Sequence, residues 1–202
     1  LHAENNNDDT KGTILILGGD FVIRAGDDGI HANTSITIDS GDFDIQAGEG
    51  IESTYVLLNG GSIQIQSWDD GINAANKSSA YRPTVEITGG EITIVMGAGD
   101  TDGIDSNGTY TQSGGIVITR GPNSTMSAAL DTDGTAQITG GTIIILGALG
   151  ERGITHSSVS TYTLSLHSSG SHTIKINGTS YKFTNSYSYS KTTCYSSVKV
   201  SA

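Results

Sequence analysis

The chain has 202 residues, long enough for one sizeable domain, and carries 21 acidic against 10 basic side chains for a net charge of −11. That balance argues against nucleic acid or an anionic membrane surface as the main partner, and favours bound cations or a polyanion met through bridging cations. No run of 18 apolar residues exists to span a membrane, and the single Cys194 cannot form an internal disulfide, which leaves the compartment open.

The start, LHAENNNDD, is polar and lacks a basic region followed by an apolar one, so any export signal is expected to have been removed already. Residues 1–12 read as an N-terminal extension or cap. From residue 13 a pattern begins to recur: ILILGGDFVIRAG, ITIDSGDFDIQAG, VLLNGGSIQIQSW, VEITGGEITIVMG, YTQSGGIVITRG and AQITGGTIIILG superimpose without gaps. Their anchor glycines are Gly19, Gly41, Gly61, Gly90, Gly115 and Gly141, at intervals of 22, 20, 29, 25 and 26 residues. Six copies at that period predict a stacked repeat rather than a closed globule.

Apolar residues alternate within each copy, which is strand periodicity. Phe21 and Ile23, Phe43 and Ile45, Ile63 and Ile65, Ile92 and Ile94, Ile116 and Ile118, and Ile143 and Ile145 are expected to point inward. So are Ile16, Ile38, Leu58, Ile87 and Ile138 before the anchor. Gln112 interrupts that second column and predicts a looser coil or a buried hydrogen bond. With 28 glycines for sharp corners and no helical period, the fold class is all-β, a parallel β-helix of about six coils over residues 13–160. The insertion NKSSAYRP predicts a loop thrown out from one corner. Residues 161–202 lose the acids and the repeat, with Asn177-Gly178 as a hairpin turn, and read as a C-terminal β cap over the open end.

A column of acids runs beside this repeat. DDGIHAN, EGIES, DDGINAAN and DTDGID align on Gly-Ile, which stacks Asp28, Glu49, Asp70 and Asp102, with His31, Glu52, Asn73, Asp105 and Asp131 after the apolar residue. Asp27, Asp69, Asp100 and Asp133 add oxygens nearby. Carboxylates about 5 Å apart repel by roughly 3 kcal/mol at an effective dielectric near 20. Either some are protonated, or cations sit among them. Calcium, taking 6–8 oxygen ligands, suits the second case, and more than one ion is expected. Zinc and copper are poorly served without thiolates and with few histidines. Solvated turn acids, chosen because Asp-Gly favours tight corners, are the plainer alternative. The metal candidates are Asp27, Asp28, Glu49, Glu52, Asp69, Asp70, Asp100, Asp102, Asp105 and Asp131.

The ordered run DDGIHAN, SITIDSGDFDIQAGEGIES, LLNGGSIQIQSWDDGINAAN, TDGIDSNG and AALDTDGTAQITGGT resembles bacterial secreted carbohydrate-binding proteins over residues 8–155. The resemblance implies a right-handed β-helix of the polysaccharide-lyase type. It also implies calcium, a secreted or cell-surface location, and binding of acidic plant polysaccharide such as polygalacturonate (pectin), with cellulose a further ligand. The chain departs from that pattern at 122–130 and at 150–154, so the last coils are expected to hold metal poorly apart from Asp131 and Asp133.

Three functions follow. The first is non-catalytic, calcium-dependent binding of acidic polysaccharide, with Arg24, Gln46 and Gln66 in line on an outward strand face and Trp68 and Tyr81 as stacking aromatics. Packing of those aromatics against the coil is the plainer alternative. The second is a pectate-lyase-like enzyme, disfavoured because no arginine clusters with the acids; no catalytic residue is assigned. The third is end-to-end self-association into a fibre by strand addition through the terminal segments.

Overall fold

The structure, a computed structural model, describes residues 1–5, 7–121, 126–150, 152–189 and 192–202. Parts of the two departures from the repeat, residues 122–125 and 151, lie outside them. The described residues contain strands and turns and no helix.

The strands come in chain order as β1 (His2–Ala3), β2 (Thr13–Ile16), β3 (Asp20–Arg24), β4 (Ile30–Ile38), β5 (Asp42–Ala47), β6 (Ile51–Leu58) and β7 (Ser62–Ser67). Then follow β8 (Ile72–Ala74), β9 (Thr84–Ile87), β10 (Glu91–Met96), β11 (Ile104–Ser106), β12 (Thr109–Gln112), β13 (Ile116–Arg120), β14 (Ala136–Ile138), β15 (Thr142–Leu146) and β16 (Ile154–His156). The tail supplies β17 (Ser160–Tyr162), β18 (Gly170–Ile176), β19 (Thr179–Asn185), β20 (Thr192–Ser196) and β21 (Val200–Ser201).

Each coil contributes to two sheets of parallel strands, which makes a β-solenoid of about six turns. One sheet holds β3, β5, β7, β10, β13 and β15 in order. In the other, a bulge between Ala32 and Ser35 divides β4 into two stretches, which match the separate short strands of later coils. Past the bulge, Ile36, Val56, Val85, Tyr110 and Ala136 stack in register. Before it, the short acid-bearing strands stack His31 on Glu52, Glu52 on Asn73 and Asn73 on Asp105.

All six anchor glycines have φ between +70° and +124°, the left-handed region where a Cβ is penalised. The side chain directly after the anchor faces out, and the next faces in. Phe43, Ile45, Ile63, Ile65, Ile92, Ile94, Ile143 and Ile145 are accordingly buried in one continuous core, with Phe21 and Ile23 partly buried at its first coil. Ile16, Ile38, Leu58, Ile87 and Ile138 join the same core.

The fifth copy corrects the sequence reading. Ile116 follows Gly115 directly, so Val117 stacks on Ile92 and Ile143 while Thr119 stacks on Ile94 and Ile145. Ile116 and Ile118 therefore face outward, where Ile118 joins Ile144, Leu146 and the tail residues Leu164, Leu166, Ile174 and Phe183 in a second core. Inside, the Thr119 hydroxyl is satisfied by donating to the Ala129 carbonyl at 2.9 Å. Gln112 makes the predicted buried hydrogen bonds: it accepts from the Tyr110 hydroxyl at 2.8 Å and donates to the carbonyls of Gly114 and Thr142 at 3.0 and 3.1 Å.

In the tail, β20 pairs antiparallel with β15, and β17 with β20, ending the run of parallel strands. A sheet of β18, β19 and β21, with Asn177 and Gly178 at positive φ in the hairpin turn, lies against the outer faces of β13 and β15. At the other end, β1 pairs with the start of β4, and the Asp9 carboxylate accepts the backbone N–H of Ser79 at 3.2 Å.

Candidate functional site

The acid-bearing strands show why carboxylates gather. Inward Ile30, Ile51, Ile72 and Ile104 are fully buried, so the residue after each must point out on the same face, one coil apart. The preceding glycines pack without room to spare. A Cβ on Gly71 would lie 2.4 Å from both the Gly103 carbonyl oxygen and Ile94, and one on Gly50 would lie 2.4 Å from the Gly71 carbonyl oxygen. The tight turns set Asp28, Glu49, Asp70 and Asp102 beside the column, all half-buried. Asp27, Asp69, Asp100 and Asp133 are exposed at its rim.

The structure divides this column in two. At the N-terminal end, His31 Nδ1 lies 2.7 Å from Asp28 and 2.8 Å from Glu52. The NKSSAYRP loop brings Lys77 Nζ to 2.7 Å from the other Glu52 oxygen. The loop is held by Thr54, whose Oγ1 accepts the backbone N–H groups of Lys77 and Ser78. Burial works to lower the Lys77 pKa, but the Glu52 hydrogen bond and the charges of Glu52, Glu49 and Asp28 outweigh it and raise it. The protein itself thus supplies counter-charge to Glu52 through Lys77, and a ring nitrogen to both Asp28 and Glu52 through His31.

Asp70, Asp102, Asp105 and Asp131 have no such partner: among the described residues, no basic side chain forms an ion pair with any of them. One oxygen from each of Asp102, Asp105 and Asp131 lies within 4.8 Å of the others. Burial, with neighbouring acids, pushes the carboxyls of Asp102 and Asp105 up to about 6, against a backbone hydrogen bond to each. Burial pushes Asp70 to about 7 in spite of the Asp102 N–H that donates to it at 2.7 Å. Glu49, between the two halves, rises to about 8 through burial and then the charges of Glu52, Asp28 and Asp70.

Asn73 adds an independent observation. Its Nδ2 donates to Glu49 at 3.2 Å, while its Oδ1 is buried without a hydrogen-bond partner. A buried acceptor without a donor costs about 1–3 kcal/mol, and it stands in register beside Asp105. Every group here is an oxygen acceptor, the donor set a hard cation such as calcium prefers. Asp102 and Asp131 also line an open cleft of about 290 Å3 with Met126, Ser127, Ala128 and Leu149.

The proposed ligand contacts are dispersed. Arg24, Gln46 and Gln66 stack in line as expected, but the Arg24 guanidinium is engaged by Asp44 Oδ2 at 2.6 Å. Gln46 and Gln66 line a shallow groove of about 220 Å3 with Asp44, Gln64, Thr93 and Arg120. Trp68 is 53% exposed beside Asp69, whereas Tyr81 uses one ring face to stack on Tyr55 at 5.0 Å. Lys77, the orphan oxygen of Asn73 and the Asp102 cleft escaped the sequence reading. The one clue available was a base directly after the acid-bearing strand, in the inserted loop.

A family described as carbohydrate-binding domain-containing protein matches residues 1–101, half of the chain. The chain belongs to that family. No curated protein and no solved structure matches it. Carbohydrate binding is the family-level role, and the matched part holds Asp28, Glu49, Glu52 and Asp70. Asp102, Asp105 and Asp131 lie beyond it.

Proposed function

We propose that this chain is a non-catalytic binder of acidic polysaccharide, acting outside a bacterial cell through calcium held by the uncompensated half of its acid column. The observation that carries this reading is the contrast within one column. Lys77 pairs with Glu52, and His31 bonds both Asp28 and Glu52, while among the described residues Asp102, Asp105 and Asp131 cluster with Asp70 beside them and no basic side chain pairs with any of the four. Those four carboxylates and Asn73 Oδ1 would hold the ion, and a bound ion would supply the positive charge that lets two polyanions meet. The Asp102–Asp131 cleft gives a uronate access from solvent, and Met126 offers it an apolar edge.

Metal analysis of the purified protein, followed by calorimetric titration with hexagalacturonate in calcium and after chelation, tests the reading. Calcium in the protein and binding that disappears with chelator are expected. Binding that is indifferent to chelation, or absent in calcium, overturns it.

A further inference from the structure

A second concave feature lies apart from the acid column. It is a groove of about 630 Å3 between the anchor-glycine corners and the β18–β19 hairpin. We infer that this groove is a second carbohydrate site, one that takes a neutral, hydroxyl-rich glycan chain without metal. The inference draws on the family's carbohydrate binding but not on the calcium reading.

Shape comes first. Gly61, Gly90, Gly115 and Gly141 lie along one wall, and without side chains they present a bare backbone shelf. Four stacked corners spaced at about 4.8 Å span roughly 14 Å, the reach of a short oligosaccharide rather than a single sugar. The volume is that of an ordinary ligand site. The opposite wall is the hairpin with its turn residue Asn177 and the Ser197–Val198 bend; the second apolar core anchors the hairpin, which meets the coils where Tyr181 bonds Glu91.

Chemistry follows the same division that a pyranose shows, with C–H faces and a rim of hydroxyls. Ile116, Val198 and the Tyr181 ring, all only partly buried, give apolar surface over the buried Ile176. An aromatic ring with a polar tip suits a sugar face. Glu91, exposed on its strand, accepts a hydrogen bond from the Tyr181 hydroxyl at 3.1 Å across the groove. A carboxylate held in that way accepts a pair of sugar hydroxyls, and Asn177 and Ser197 extend the polar rim.

Charge selects the class of glycan. Glu91 is the one acid in the lining, and no Lys or Arg is among the described lining residues. A uronate carboxylate is repelled there, while a neutral chain is not. A single carboxylate with one tyrosine is also far from the oxygen set calcium requires. The two sites therefore divide glycans by charge.

The test is titration of the full chain, in chelator, with neutral linear hexasaccharides of glucose, mannose and xylose, and with hexagalacturonate. At least one neutral hexasaccharide is expected to bind, and hexagalacturonate is not. Glu91→Ala, at an exposed position, should weaken neutral binding by about tenfold, the effect of losing one charged hydrogen-bonding group. Tyr181→Ala should do the same, and a melting curve for each variant shows that the hairpin stays packed. No neutral binding in chelator, or neutral binding untouched by Glu91→Ala, overturns the inference. Failure of calcium-dependent uronate binding leaves it standing, because the two readings are read in different buffers.

Discussion

Lys77 Nζ sits 2.7 Å from Glu52 Oε1, although 25 residues separate them and Lys77 belongs to a loop outside the repeat. On its other side Glu52 meets His31, so a residue only 4% exposed sits between a lysine and an imidazole of the protein's own. The inserted loop thus brings a counter-charge to the second coil.

Removing that charge gives a first prediction. Lys77→Ala leaves Glu52 buried with His31 alone, and should cost about 1–3 kcal/mol, the penalty of a buried acceptor that loses its partner. In a domain of this size that lowers the melting temperature by several degrees. A melting curve indistinguishable from that of the parent would show that the pair is idle.

The acids without counter-charge have the opposite behaviour. Asp105→Asn removes one of three clustered negative charges, so in chelator at pH 8 the variant should melt higher than the parent. In calcium the order should reverse, since a ligand oxygen has lost its charge. Equal melting in both buffers would show that the cluster neither repels nor binds.

Proton linkage makes a third test. Glu49 is raised to about 8, Asp70 to about 7, and Asp102 and Asp105 to about 6, while an unfolded chain holds such groups near ordinary carboxylate values. Between those limits the native state binds more protons than the unfolded one, so stability falls as pH rises. The contribution is complete below the ordinary carboxylate range and is lost through about pH 6 to 8. In chelator the melting temperature should drop between pH 5 and pH 8, and calcium should flatten the drop. A chelated protein that gains stability over that range contradicts the raised carboxyls.

A fourth prediction concerns the corners. A Cβ at Gly71 meets the Gly103 carbonyl oxygen, in the backbone just before β11, and Ile94 of the packed strand β10, both at 2.4 Å. Gly71→Ala should therefore cost about 3 kcal/mol, at the upper end of ordinary overpacking, and should also spread Asp70 from Asp102. Near-parent stability for this variant, measured by denaturant unfolding, would mean that the coils are free to part.

The sequence carried the period of the fold plainly, because an anchor glycine with positive φ recurs once per coil and inward residues alternate after it. The same regularity placed Gln112 correctly as a buried hydrogen-bonding residue. It failed at Gly115, where aligning by hydrophobicity put Ile116 and Ile118 inside. Their apolar character serves the tail instead, a partner more than 45 residues away that no local pattern announces. The acid column was equally legible as a stack, since register follows from the coil period. Its division was not, because Lys77 reaches it through a loop whose path depends on Thr54.

The reversal of strand direction at β20 has a consequence for how such a chain can change in size. A new turn cannot be laid beyond β15, since a backbone running the wrong way already occupies that place. Elongation by copying a unit must occur in the interior, between existing turns, and each duplicated unit that carries the Asp-Gly-Ile segment would lengthen the rod by about 4.8 Å. It would also insert another negative rung, so longer descendants of this architecture must recruit either a further lysine-bearing insert or a further ion.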